Sequence, residues 1–353
     1  METVHEVHVG DARDMTALAE DSVELVVTSP PYPMIEMWDE TFAAQDPAIA
    51  DHLGAGEGEA AYEAMHALLD EVWAEIERVL VPGGIACVNV GDATRTVGEN
   101  FRVYRNHDRV ATAFERLGFD PLPEILWRKP VNSGTKFLGS GMVPPNAYVT
   151  LEHEYVLVFR NGPDRRSFEP GADRRYEAAY FWEERNRWFS DVWDDVRGAA
   201  QALADSSLRE RSAAYPVAIP YRLVNMYSVY GDTVLDPFLG TGTTTIAAMA
   251  AGRDSVGYER SPAFAAHLEE RVDDVGALAG RLGRARLRAH REFLSDQPDG
   301  GESFAHRSDH YDVPVRTAQE RRLRLYAVTD VRETETGYRV AHEPVESIDG
   351  ASD

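Results

Sequence analysis

The apolar positions of the chain follow two rhythms. Short apolar runs at residues 7–9, 23–27, 85–90, 125–130, 152–159, 233–235 and 255–258 predict strands. Between them apolar residues recur at helical spacing, as at Met65, Leu68, Leu69, Val72, Ile76, Val79 and Leu80, and predict helices over 60–80, 109–117, 215–230 and 243–251. Pro82-Gly83-Gly84 reads as the end of the first of these. A helical turn is expected at 15–18, and one long helix or two over 262–292. Strands alternating with helices imply an α/β domain around a mostly parallel sheet. Gly54, Gly56 and Gly58 with their surrounding acids read as a surface loop at the end of the 33–58 segment, residues 131–150 as a loop, 294–313 as disordered, and 324–340 as a terminal hairpin.

Two strand ends carry unusual turns. Residues 233–235 run into Asp236-Pro237-Phe238-Leu239-Gly240-Thr241-Gly242-Thr243-Thr244, then a small-residue helix, then a second strand ending on Glu259. Strand, Gly-rich turn, helix, strand and acid make the first half of a nucleotide-binding unit. The turn is not G-x-G-x-x-G, and no lysine follows the glycines, so neither a dinucleotide nor a P-loop phosphate is indicated. An acid at the strand end suits a ligand with a cationic amino group. Near the amino terminus a second strand ends in Ser29-Pro30-Pro31-Tyr32. Two prolines fix φ and remove two N–H donors, leaving rigid carbonyl acceptors beside an aromatic ring. Such a row suits a planar base with an exocyclic amine.

Together, T-S-P-P-Y early and D-P-F-x-G-x-G-T-T late resemble the amino-group DNA methyltransferases, in the motif order of their permuted β class. The resemblance covers roughly residues 7 to 272. It implies a Rossmann-like methyltransferase fold, with a mostly parallel seven-stranded sheet covered by helices on both faces. Residues 1–130 and 212–275 would form the catalytic domain, 131–211 a target-recognition region, and 276–353 a partly disordered extension. It implies S-adenosylmethionine as cofactor and double-stranded DNA as substrate, methylated by base flipping and direct transfer. Ser29, Pro30, Pro31 and Tyr32 would act on the base. Asp11, Asp236, Pro237, Phe238, Gly240, Gly242, Thr243, Thr244 and Glu259 would form the cofactor site, with the Gly240 and Gly242 amides and Asp236 on the methionine part and Glu259 on the ribose. Tyr215 stands where the family usually has histidine. Ser-Pro-Pro-Tyr is usual for cytosine N4 and Asp-Pro-Pro-Tyr for adenine N6, so N4 is expected and N6 is the alternative; a further alternative is a silent S-adenosylmethionine-dependent nucleic-acid-binding module. The run from Ser29 to Asp39 looks like that of archaeal methylases of the palindrome CTAG. A cognate restriction endonuclease is a candidate partner.

Composition adds three constraints. The single cysteine, Cys87, lies in an apolar run, so no thiol is placed to serve as the nucleophile that methylation at cytosine C5 needs; a reduced, cytoplasmic setting is expected. No apolar run approaches the ~20 residues of a membrane helix, and no metal-ligand cluster is expected. The charge is −24, from 36 basic and 60 acidic residues, and all basic residues but Lys129 and Lys136 are arginine. Such acidity suggests adaptation to concentrated salt. Residues 102–211 are neutral, with 17 residues of each sign. There Arg165, Arg166, Arg174, Arg175, Arg185 and Arg187 interleave with aromatic rings, which suits nucleic-acid binding or, equally, an amphipathic helix with its rings in the core.

Overall fold

The computed structural model describes residues 1–129, 138–197 and 215–345. Parts of the expected 131–150 loop and of the 131–211 region lie outside the described residues. One sheet organises the chain. Its strands are β1 (Glu2–Val9), β2 (Val23–Thr28), β3 (Leu80–Val90), β4 (Phe119–Arg128), β5 (His153–Asn161), β6 (Val192–Trp193), β7 (Thr233–Asp236), β8 (Asp254–Glu259), β9 (Tyr326–Thr334) and β10 (Gly337–Pro344). Their spatial order is β6-β4-β5-β3-β2-β7-β8-β1-β10-β9.

The seven strands from β4 to β1 are the expected sheet. Pairings β3–β2, β2–β7, β7–β8 and β8–β1 are parallel, while β5 runs antiparallel to both β3 and β4. Two additions widen it to ten. The terminal hairpin β9–β10 joins through antiparallel β10–β1 pairing, and β6 pairs parallel with β4.

Alternation along β2 shows why both faces are covered. Val26 points into the core built with α1 (Gly58–Val79) and α2 (Asn106–Arg116), where Trp73 and Phe114 are fully buried. Leu25 and Val27 point to the other face, against α4 (Ala218–Tyr227) and α5 (Thr243–Ala251), with α3 (Trp182–Trp188) at its margin. A strand buried on both faces reads as a continuous apolar run, as this one does. Cys87 is buried and free in that second core.

Several local expectations are corrected. Residues 15–18 form turns, because Met15 is drawn into the core and Arg78 takes the Met15 and Leu18 carbonyls. Pro82-Gly83-Gly84 lies within β3, where the register against β2 shifts, and α1 ends directly at Leu80. The expectation of one long helix or two over 262–292 holds in its second form, as α6 (Pro262–Val272) and α7 (Val275–Ser295). Segment 294–313 has a short strand at His306–Arg307, and Tyr311 is buried in a satellite core with Phe181 and Leu325. The loop expected around Gly54, Gly56 and Gly58 shrinks to a turn at Gly56 (φ +78°) between a short helix at Ala48–Ala55 and α1, and a further short helix lies at Asp39–Ala43.

Candidate active site

Strands β2, β7 and β8 lie side by side and parallel, so the residues that follow them meet at one edge of the sheet. This is where open α/β sheets place ligands. Thr28, the last residue of β2, donates its hydroxyl to Asp236 Oδ1 at 2.7 Å, tying together turns 208 residues apart. Between them opens a cleft of about 430 Å³, lined by Ser29, Pro30 and Pro31 on one side and by Asp236, Pro237, Phe238, Gly240, Thr243 and Glu259 on the other. Asp11, after β1, reaches the same cleft. Gly242 and Thr244 support it from behind.

Asp236 is buried and fully engaged. Its Oδ1 also accepts from the Phe238 amide at 3.1 Å, and its Oδ2 accepts from Thr244 Oγ1 at 2.6 Å. Burial pushes its carboxyl up to about 6, against the pull of those donors. Glu259 accepts the Gly240 amide at 2.9 Å and the Ser261 amide at 2.8 Å, and burial raises its carboxyl too. The expected role of the glycine amides changes accordingly. Gly240 N–H is taken by Glu259 and Gly242 N–H by the Leu239 carbonyl at 2.9 Å, so the turn shapes the cleft and offers it neither donor. Gly242 sits at φ +76°, and a Cβ there would come within 2.5 Å of the Leu268 side chain. For Asp11, burial alone would push the carboxyl up, but its bonds from Arg13 hold it below the ordinary range.

On the other wall the Ser-Pro-Pro-Tyr turn leads into a buried network. Ser29 Oγ lies 3.0 Å from the Tyr32 hydroxyl, which donates to Glu154 Oε2 at 3.0 Å. Asn89 Nδ2 donates to the Tyr32 oxygen at 2.8 Å and to Glu154 Oε2 at 2.7 Å, and Lys129 Nζ donates to Glu154 Oε1 at 2.7 Å. Burial drives the Tyr32 phenol well above its ordinary value, and the Glu154 charge adds to this. The Tyr32 ring lies over Gly91, where a Cβ would stand 3.1 Å from it. Two residues on, Met34 adopts φ +67° with its side chain buried, so the turn closes through a conformation that a branched residue would resist.

Several residues at the cleft carry no sequence signal of their own. Trp38, Phe42 and Gln45 come from the 33–58 segment, and Leu68, Leu69 and Val72 from the face of α1. Tyr215 lines the cleft, and its hydroxyl meets Thr244 Oγ1 at 2.6 Å, so it joins the Asp236 network where histidine was expected. Arg271, on α6, donates to the Thr241 carbonyl and to Thr243 Oγ1, pinning the glycine turn. Glu154 and Asn89 lie in the runs 152–159 and 85–90, which the sequence marks as strands without singling out either residue. No group of three or more His, Cys, Asp or Glu residues able to hold a metal occurs among the described residues.

The arginine-rich stretch is not at this cleft. Arg166 makes a two-pronged pair with Asp232 at 2.7 and 2.8 Å, immediately before the first residue of β7, and Arg174 stands 3.9 Å from the same carboxylate. Arg165, Arg175 and Arg185 line a separate hollow that also touches Gly83 and Ile85 in the first half of β3. These are the amino ends of the parallel strands. Asp232 and Ile85, which lies opposite Leu25, are each about four strand residues short of the catalytic turns, roughly 13 Å along the strands, so the hollow lies at the other edge of the sheet. Arg187 instead pairs with Asp195 beyond β6. The six arginines expected to suit nucleic-acid binding thus lie apart from the cleft, five of them at the amino edge or its hollow and Arg187 beyond β6.

Comparison with known proteins agrees with this geometry. The profile of the N6/N4 DNA methylase family matches residues 23–270. The chain is 48% identical over 328 residues to the type II methyltransferase M.MthZI of Methanothermobacter thermautotrophicus, covering 92% of this chain and 91% of that protein. It is 49% identical over 281 residues to the type II methyltransferase M.MjaI of Methanocaldococcus jannaschii, covering 76% and 91%. Among solved structures, a DNA modification methylase of Thermus thermophilus, TTHA0409, complexed with S-adenosyl-L-methionine, superposes with a TM-score of 0.60 at 34% identity over 77% of this chain and 94% of that one.

Proposed function

The chain belongs to the N6/N4 DNA methylase family, and on that basis we propose that it transfers a methyl group from S-adenosylmethionine to the exocyclic N4 amine of cytosine in double-stranded DNA. One observation carries the reading: a single cleft joins the Ser29-Pro30-Pro31 wall to the Asp236 and Glu259 wall, fastened by the Thr28–Asp236 bond. The cleft fits the cofactor. It has aromatic walls at Phe238, Tyr258 and Phe264, and acids at Asp11, Asp236 and Glu259 for a cationic molecule with ribose hydroxyls. When bound, S-adenosylmethionine supplies a methyl group on a positively charged sulfur.

The protein's part is positioning. An amine conjugated with its ring is a weak nucleophile, because its lone pair is delocalised. Ser29 Oγ and the Pro30 carbonyl accept its two N–H bonds and so localise that pair toward the methyl group. Tyr32, with its hydroxyl anchored, presents a fixed ring to the extruded base and offsets part of an unstacking cost of a few kcal/mol. Serine, able both to donate and to accept, supports cytosine over adenine, whose N6 amine is the alternative. The run Ser29 to Asp39 supports CTAG as target by its resemblance, and the type II relatives support a companion endonuclease. DNA would approach the carboxyl edge, where Arg105 and Arg128 are 69% and 67% exposed. Ser29→Ala is expected to lower the single-turnover rate about 10²-fold while cofactor affinity stays within about twofold. Loss of cofactor affinity with an intact rate at saturation would reverse the two motifs' roles.

A further inference from the structure

Methylating an amine leaves it with one proton too many, and the structure assigns a destination for that proton: we propose that Ser29 and Tyr32 relay it to the buried carboxylate of Glu154. The inference rests on the amine-methylation reading above and adds a group that the cleft does not expose. Hydroxyls stand in line from the cleft inward, with Ser29 Oγ 3.0 Å from the Tyr32 oxygen and that oxygen 3.0 Å from Glu154 Oε2. Each hydroxyl on the way has an acceptor ahead of it. Because the Tyr32 proton is committed to Glu154, Ser29 is the partner that donates to Tyr32, which orients the chain in one direction.

Lys129 gives a second, independent reason. The chain uses arginine for 34 of its 36 basic residues, yet the partner of Glu154 is one of its two lysines. Elsewhere here arginine grips carboxylates with both prongs, as in Arg95–Asp39, Arg109–Asp70, Arg166–Asp232 and Arg222–Asp195. A fork of that kind would occupy both oxygens of Glu154. The lysine ammonium takes Oε1 alone and leaves Oε2 to Tyr32 and Asn89. Its side chain is 46% exposed against 10% for Glu154, so the pair connects a buried acceptor to solvent.

The step balances. The amine lone pair forms the new N–C bond, and the sulfur keeps the electron pair of the bond that breaks. The resulting ammonium gives one proton to Ser29 Oγ, Ser29 gives its own to Tyr32, and Tyr32 gives its own to Glu154 Oε2. Ser29 and Tyr32 end as they began, and Glu154 ends as the neutral acid, to be reset by loss of a proton to water on the Lys129 side.

The test compares the full-length protein with Glu154→Gln and Lys129→Arg in single-turnover methylation and in rapid-mixing infrared difference spectra. Glutamine keeps the shape and an acceptor oxygen but takes no proton. The expected result is a rate about 10²-fold lower with KM for DNA and cofactor within about twofold. In the wild type a protonated-carboxyl stretch should appear with product, and it should be absent from Glu154→Gln. Lys129→Arg, which keeps the charge, should slow the reaction about tenfold. A Glu154→Gln rate within about threefold of wild type, or no carboxyl band in the wild type, would overturn the relay. If Ser29→Ala is slow while Glu154→Gln is fast, only the relay fails; if Ser29→Ala is also fast, the amine-methylation reading fails with it.

Discussion

The carboxyl and amino edges of the same parallel strands are built on different principles. At the carboxyl edge, Asp236 and Glu259 are held by hydroxyl and amide donors and face a cleft with aromatic walls. At the amino edge, Arg166, Arg174 and Arg175 crowd within 5.0–5.6 Å of the single Phe168 ring, and Asp232 neutralises part of that charge from a fully buried position. The first arrangement leaves polar groups poised at a cavity where a cation fits. The second uses arginine as structural material, stacked and paired. Arginine density along the chain therefore locates a packing feature, whereas the position of a motif relative to its strand end locates the chemistry.

Substitutions on the two edges should separate stability from function. The largest effect is expected for Arg166→Ala, which leaves the buried Asp232 carboxylate with the Val229 amide at 2.8 Å and the more distant Arg174 but without its two-pronged partner. Unfolding free energy should fall by about 3 kcal/mol, read by denaturant titration, while the cofactor affinity of the folded protein is unchanged. Reduced cofactor affinity in the folded variant would show that the edges are coupled.

At the carboxyl edge the expected effect is smaller and depends on pH. Asp236 titrates at about 6 in the free protein, so it becomes ionised as pH rises through that value and only then attracts a cationic ligand. Affinity for S-adenosylmethionine, measured by calorimetry, should rise roughly tenfold across that titration, and Asp236→Asn should flatten the profile. The linked stability term has the opposite slope. A carboxyl raised in the folded state favours folding below its unfolded value near 3.8, and that contribution is lost as pH rises through about 6. A profile that stays steep in the asparagine variant would remove Asp236 from cofactor binding.

The smallest effect sharpens the comparison most. Arg165 and Arg175 are exposed, and their double alanine variant, which removes one of the three guanidinium contacts on Phe168, should lower stability by about 1 kcal/mol or less and change DNA affinity by less than about twofold. A tenfold loss of DNA affinity would bring the amino edge back into DNA binding.

What the sequence disclosed follows from the range of the forces involved. The Thr243–Ala251 helix and the two turns were legible because each is set by neighbours in the chain: strand, glycine at positive φ, helix start. The seven-stranded sheet was legible because a doubly covered strand is apolar throughout. Glu154 was not. Its role depends on β5 entering antiparallel between β3 and β4, which sets Glu154 opposite Trp127 and brings it within reach of Asn89, Lys129 and Tyr32. The apolar run 152–159 marks a strand and cannot supply those partners. The spacing of the arginines likewise says nothing about which strand end they return to, because the Arg166–Asp232 pair bridges 66 residues.

The central claim, direct transfer to the N4 amine of cytosine in this cleft, is tested most directly by the product. DNA methylated by the purified protein would be digested to nucleosides and resolved by mass spectrometry with authentic standards. The account predicts N4-methylcytosine. It also predicts no 5-methylcytosine, because attack at C6 needs an accessible thiolate and Cys87 is buried, its thiol pushed far up by burial. N6-methyladenine as the sole product would contradict the base assignment, and 5-methylcytosine would contradict the mechanism itself.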